Sequence, residues 1–231
     1  MKPVTSQSVF LDLGCGLGGL LSAASAAGKS GIGIDNRMSV LVVAKRLLEQ
    51  HGARPTLACA NAEALPLADA SVGGVVMYDV VEHVDRLESA LSEAGRVTWS
   101  DGAFACSTPN RYSLAPEPHV HVWGVGWMPR KYQAAYVRRR SARDYTGTRL
   151  LSARELGQMV VRAMGFSVDL RVAPIPLAEI ERSRGLRKLM AQVFNSVSRL
   201  RAVRPLLLQI GPFFQLVAVK GSLASSKSTD S

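Results

Sequence analysis

The stretch VFLDLGCGLGGL, Val9 to Leu20, decides how this chain of 231 residues is read. VFLDLG is a short apolar strand. Gly14, Gly16 and Gly19 then follow in G-x-G-x-x-G spacing, and LGGLLSAASAAG continues as a small-residue helix. Glycines in a strand-to-helix turn let a ligand approach the backbone where a Cβ would otherwise stand. Asp12 narrows the choice of ligand. It places a carboxylate at the strand end, where it repels a pyrophosphate lying on the helix N-terminus and attracts a cationic group.

Outward from this stretch, strand and helix signals alternate. SGIGID is a second strand and MSVLVVAKRLLEQHG a helix ending at Gly52. TLACANA and VGGVVMYD are the third and fourth strands, the latter continuously apolar as in a strand covered on both faces. DRLESALSEAGRV is an amphipathic helix, and GAFACSTP a fifth strand closed by Pro109. This regular alternation predicts an α/β fold with a parallel sheet and helices on both faces.

The second half changes character. Residues 110–150, rich in Pro, Trp, His and Arg, read as a lid-like insertion with a short helix near 129–140. SARELGQMVVRAMG opens with Ser152 and Glu155 in capping-box spacing. FSVDLRV is a sixth strand, residues 178–204 a basic amphipathic helix, and PFFQLVAVK a seventh strand, expected to run antiparallel. The organisation expected is one domain over residues 1–220 and a polar, disordered tail over 221–231.

Composition sets the outer limits. The apolar fraction of 47% is enough for a sizeable core. Cys15, Cys59 and Cys106 are distant and odd in number, which points to a reducing compartment without a disulfide framework. The start, MKPVTSQSVF, lacks the apolar core of a signal peptide, so a cytoplasmic location is expected. The apolar run from Leu206 to Val219 is cut by Gln209, Gly211, Pro212 and Gln215, which argues against a spanning helix. Net charge is +10, unevenly spread. Residues 1–100 carry 8 Lys/Arg against 10 Asp/Glu; residues 101–231 carry 20 against 8. Within 178–204, Leu186, Leu189, Met190, Val193 and Val197 repeat at helical spacing, with Arg and Lys between them. Such a segment either packs its apolar side on the sheet or lies on an anionic membrane surface. No basic low-complexity tail or RNA-binding module accompanies the charge, which disfavours nucleic acid as partner.

Asp35 ends the second strand, 21 residues after Gly14, where a carboxylate can take both hydroxyls of a ribose. With it, LDLGCGLGGL, GIGID, NAEALPLADAS, VVMYDVVEHV and GAFACSTPNR resemble, in order, the motifs of class I S-adenosylmethionine-dependent methyltransferases. The branch they are most similar to is the "methyltransferase 11" and ubiquinone-biosynthesis O-methyltransferase-like group. The resemblance covers about residues 8–110. It implies a Rossmann-like, seven-stranded, mostly parallel sheet and S-adenosyl-L-methionine as cofactor. It also implies that Gly14, Cys15 and Gly16 border the methionine part and that Asp12 helps hold its amino group. Asp35 would take the ribose, Asn36 would lie beside the adenine, Asn61 and Ala62 would face it, and Tyr78 would lie next to the methionine portion. The group usually has Asp where Asn61 stands, Phe-Asp where Val72-Gly73 stands, and several dozen residues ahead of the loop. Only residues 1–8 precede it here, so either 110–150 supplies the lid or the start is truncated.

Methyl transfer to a hydroxyl needs alignment and a base. His83, just after the fourth strand, and His119 and His121 in EPHVHVWGVGW are the candidates. A metal site at Asp79, Glu82 and His83 is set aside, since carboxylates near a helix start are ordinary. Tyr112, Trp123, Trp127 and Tyr132 form either an aromatic acceptor wall or a small core within the insertion. The expected activity is methylation, chiefly O-methylation, of a small or lipid-like acceptor. RNA methylation and cofactor binding without methyl transfer are the alternatives.

Overall fold

The computed structural model describes residues 9–54 and 56–220, apart from the side chains of residues 179, 186 and 187. The tail expected over 221–231 lies outside the described residues. Seven strands form one sheet: β1 (Phe10–Leu13), β2 (Gly31–Asp35), β3 (Thr56–Cys59), β4 (Val72–Tyr78), β5 (Thr98–Pro109), β6 (Ser167–Val172) and β7 (Phe213–Val219). Their order is β3-β2-β1-β4-β5-β7-β6. β1 to β5 are parallel, whereas β7 runs antiparallel to both β5 and β6. This is the mostly parallel sheet with an antiparallel last strand that the sequence predicts.

The alternation of side chains on β1 builds two cores. Leu11 and Leu13 enter the larger one, with Val75, Met77, Phe104 and Phe214. Helices α3 (Leu87–Val97) and α5 (Ala153–Met164) close that face through Leu87, Leu91, Leu156 and Val160. Phe10, on the other face, packs in a smaller core with Leu21 of α1 (Gly19–Ala26) and Leu41 and Leu48 of α2 (Met38–Gln50). Ser152 caps α5 as its spacing predicts: its Oγ accepts from Glu155 N at 3.3 Å, and Glu155 Oε2 accepts from Ser152 N at 2.8 Å.

Two expectations need correction. β5 begins at Thr98, not at residue 102. The chain leaves α3 directly into the strand, with Val72 opposite Thr98 and a register shift before Gly74 meets Ala103. Ser100 and Asp101, at this shift, are exposed. The helix expected over 178–204 is divided. α6 (Leu177–Arg182) stops before Gly185, whose φ of 56° breaks the helical path into α7 (Gly185–Val197). Pro205 lies in the first turn of α8 (Arg204–Ile210), where its missing N–H is tolerated and where it prevents continuation from α7. α7 does not bury its apolar side on the sheet: Leu189, Met190 and Val193 remain 56%, 62% and 52% exposed.

The insertion contains the helix predicted near 129–140, α4 (Arg130–Ser141). It has its own small core of Val120, Val122, Val125, Val137 and Tyr145. Trp123, Trp127 and Tyr132 stay outside this core, each more than half exposed. Asn110 pairs with Leu151 as an isolated parallel bridge, so the two ends of the insertion meet.

Candidate active site

The strand order reverses at β1, with β2 and β3 on one side and β4 and β5 on the other, and open α/β sheets bind ligands at such a point. The glycine loop occupies it. Gly14 has φ 81° and donates its N–H to Ile34 O at 2.7 Å. A Cβ on Gly14 would stand 2.2 Å from Val80 Cγ2, so the loop lies hard against the chain leaving β4. Gly16 has φ 50° and nothing within 4 Å of the position its Cβ would take. Its N–H donates to Asp35 Oδ2 at 3.1 Å, while Asp35 Oδ1 accepts from Arg37 N at 2.9 Å. Asp35 therefore fastens the loop to the end of β2, and each of its oxygens keeps a further lone pair for a ribose hydroxyl.

Asp12 is buried, and no hydrogen-bond donor reaches its side chain among the described residues. Burial, and next the charge of Asp35, push its pKa up to about 6. A cation placed beside it would relieve both effects. Burial, then the charges of Asp12 and Asp35, push the Cys15 thiol up to about 12, which keeps it a neutral packing group. Asn36 is exposed directly after Asp35. Asn61 Oδ1 accepts from Glu63 N at 3.0 Å in a turn after β3, with Ala62 beside it. Tyr78 ends β4 and is 45% exposed. The nine residues expected at the cofactor thus all lie in or just after the first four strands, at their carboxyl ends.

The histidines separate. His83 ends a 3-10 turn (Val81–His83) next to Val80. His119, 36 residues further along, comes back to it from the insertion: the two rings meet edge-on at 4.9 Å between centroids. His121 is exposed, has φ 56°, and stands outside this group. Glu82 completes the group. It is 1% exposed; its Oε2 accepts from Thr108 Oγ1 at 2.9 Å, and its Oε1 has no hydrogen-bond partner. Burial pushes its pKa up. One ligand atom each from Glu82, His83 and His119 lies within 4.8 Å of the others.

Glu117 is the residue that sequence reasoning missed. It is buried, takes Val120 N on Oε2 at 2.9 Å and meets His119 Nδ1 with Oε1 at 2.5 Å. With the carboxylate on Nδ1, that nitrogen is the donor, and Nε2 lies 4.0 Å from Glu82 Oε1. The signal was present in EPHVHV, where an acid stands two residues before His119. Asp79, grouped with Glu82 and His83 in the sequence reading, instead meets Ser107 Oγ at 3.3 Å, and its φ of 55° is strained for a residue with a Cβ.

Known proteins share the sequence of the first half and the fold. The family model "Methyltransferase domain" matches residues 11–106, from β1 through most of β5. The chain is 34% identical over 135 residues to a ubiquinone biosynthesis O-methyltransferase of Azorhizobium caulinodans, covering 56% of this chain and 52% of that protein. It is 33% identical over 117 residues to a probable S-adenosylmethionine-dependent methyltransferase of Mycobacterium tuberculosis, covering 50% and 41%. It thus spans about half the length of the curated relatives it matches. The fold is shared with a putative methyltransferase from Bacillus halodurans, at a TM-score of 0.61 and 17% identity over 95% of both chains. The fold, the loop and these likenesses are those of class I S-adenosylmethionine-dependent methyltransferases, with the family match confined to residues 11–106. S-adenosyl-L-methionine is the cofactor of that class, and the loop's donors and carboxylates fit it.

Proposed function

We propose that the protein transfers the methyl group of S-adenosyl-L-methionine to a hydroxyl of a small, apolar or aromatic acceptor. The Glu82–His83–His119 group is the centre at which that hydroxyl loses its proton. One observation carries the reading: Glu117 holds His119 with Nε2 toward Glu82, within the turn that follows Val80, and Val80 abuts the glycine loop. As the acceptor oxygen attacks the methyl carbon, its proton passes to His119 Nε2, the carbon–sulfur bond breaks and that bond's electron pair stays on sulfur, leaving a neutral thioether. The exposed Trp123, Trp127 and Tyr132 supply apolar surface for the acceptor. Transfer of a tritiated methyl group to phenols and lipid extract, with RNA in parallel, tests the reading. Wild type is expected to label a hydroxyl acceptor. His119→Gln is expected to lose turnover while its cofactor affinity stays within twofold. Undiminished turnover in His119→Gln, or labelling of RNA alone, would sink it.

A peripheral membrane contact is favoured by a separate observation. Leu177, Leu189, Met190, Val193, Leu200 and Leu206 of the α6–α8 region are more than half exposed, among exposed Arg182, Lys188, Arg199 and Arg201. No helix among the described residues is long and apolar enough to cross a membrane. Flotation is expected with anionic vesicles at low salt, and to weaken as salt screens the arginines. Absence of flotation at low salt removes this contact.

A further inference from the structure

We propose that Arg130 and Arg149, backed by Arg111, bind a phosphoryl group carried by the acceptor, which is an aryl phosphate monoester with a free hydroxyl. The aryl ring lies against Trp127 and Tyr112. That the bound molecule is methylated on its hydroxyl rests on the proposed function; the anion subsite does not.

Three observations carry the assignment. The first is charge. The guanidiniums of Arg111 and Arg130 converge on one oxygen, Glu155 Oε1, at 3.0 and 3.5 Å. The other oxygen, Oε2, is taken by Ser152 N and Oγ in the cap of α5. Arg130 also donates to Leu150 O at 3.3 Å, next to Arg149 in the chain. Glu155 is the one carboxylate paired with any of these three arginines among the described residues, so about two positive charges are left unanswered. Burial, and then the like charges of Arg149 and Arg111, push the Arg130 pKa down, and an anion between them relieves that repulsion. A carboxylate answers one of the two charges. A phosphate monoester carries about 1.5–2 and offers three acceptor oxygens, which guanidinium forks take two at a time.

The second observation is that donors remain open. Arg130 gives only Nη2 to protein oxygens. The exposed Arg149 guanidinium has no hydrogen bond or ion pair among the described residues. The third is place. Arg149 N donates to Glu82 O at 2.7 Å, which sets the arginines beside the Glu82–His83–His119 group. Arg111 stands 5.1 Å from the centroid of the Tyr112 ring, and Tyr112 meets Trp127 edge-on at 5.2 Å. Trp127 is 55% exposed, yet it is held: its Nε1 donates to Ser113 O at 3.2 Å, and Arg111 Nε donates to Gly126 O at 3.2 Å. An aromatic face is thus kept open beside unspent guanidiniums, which suits a ligand with a ring at one end and a double charge at the other.

Phenyl phosphate, benzoate, phenol and inorganic phosphate are titrated calorimetrically at pH 8 into the full chain saturated with S-adenosylhomocysteine. At that pH a phosphate monoester carries close to two charges. One phenyl phosphate per chain is expected, bound at least tenfold tighter than benzoate or inorganic phosphate. Arg130→Gln and Arg149→Gln are each expected to weaken it roughly tenfold or more, the effect of losing a charged hydrogen bond. Arg149→Lys should lose less than Arg149→Gln, since it keeps the charge without the fork. Trp127→Ala should weaken phenyl phosphate and spare inorganic phosphate. Arg139→Gln, at an exposed arginine of α4, is expected to change nothing. Thermal melts establish that each variant is folded. Benzoate bound as tightly as phenyl phosphate, or affinity within twofold of wild type in both Arg130→Gln and Arg149→Gln, overturns the proposal. If phenyl phosphate fails to bind while His119→Gln still abolishes hydroxyl methylation, the subsite falls and the proposed function stands. If it binds as expected and no hydroxyl is methylated, the reverse holds.

Discussion

Gly14→Ala is expected to lower the free energy of unfolding by about 2–5 kcal/mol and to abolish cofactor binding. Two costs combine. A φ of 81° places the new side chain in the left-handed region, worth roughly 1–2 kcal/mol. The Cβ would also lie 2.2 Å from Val80 Cγ2, and overpacking of this kind costs about 1–3 kcal/mol. Valine has few rotamers with which to yield, so the loop or the turn after β4 must move. Gly16→Ala is the informative companion. Its φ is also positive, but open space surrounds the Cβ position, so only the backbone cost of roughly 1 kcal/mol applies. If the cofactor lies over this loop, Gly16→Ala keeps the fold and loses affinity. Denaturant melts of both variants with and without S-adenosylmethionine check the pair. Equal stability of Gly14→Ala and wild type would refute the first part, and unchanged affinity of Gly16→Ala the second.

Asp12→Asn is expected to make the unliganded protein more stable and the liganded one harder to form. The carboxyl's pKa, about 6 against an ordinary 3.8, means that the folded chain holds a proton the unfolded chain has released between those values. Stability therefore falls as pH rises from about 4 to 6, and above 6 the charged form costs about 3 kcal/mol, which Asn removes. Cofactor affinity has the opposite slope. The cationic amino group needs the charged carboxylate, so the dissociation constant of wild type rises as pH falls through 6, by up to about tenfold per unit. Asp12→Asn should bind weakly at all pH values and lose this dependence. Calorimetric titrations at pH 5, 6 and 8, together with melts of the unliganded chain, measure both. A wild-type affinity that stays flat below pH 6 would exclude the pairing of Asp12 with the amino group.

The first half of the molecule was legible because its physics is local. Strand period, glycine placement and the apolar stripes of α2 and α3 each determine an element within a dozen residues. The same holds for the Ser152–Glu155 capping box. Where the outcome depended on packing at a distance, the sequence was silent. Nothing in Thr98–Asp101 distinguishes a shifted strand from a turn until β4 lies beside it. The helical spacing over 178–204 was real, but Gly185 and Pro205 override it through backbone geometry. His83 was legible as a candidate from its place after β4, and His119 only as one of two candidates in the insertion. Their meeting with Glu82, and the buried Glu117 that selects His119 over His121, depend on how residues 110–150 fold back. No periodicity encodes that.

The joined ends of the insertion have a consequence for how such a protein can change. Asn110 pairs with Leu151, Arg111 N donates to Leu151 O at 3.0 Å, and the Asn110 side chain holds the last turn of α8 through Leu208 O and Gln209 O. The forty residues between leave the end of β5 and return beside it just ahead of α5, as a cassette on a closed clasp. Lengthening such a segment costs little, about 0.6 kcal/mol for each doubling. Exchanging it leaves the glycine loop, Asp12 and Asp35 untouched, and removes His119 and Glu117 together. On the proposed reading, in which the insertion contacts the acceptor, choice of acceptor and use of the cofactor are separable traits, able to diversify on the same chassis at different rates.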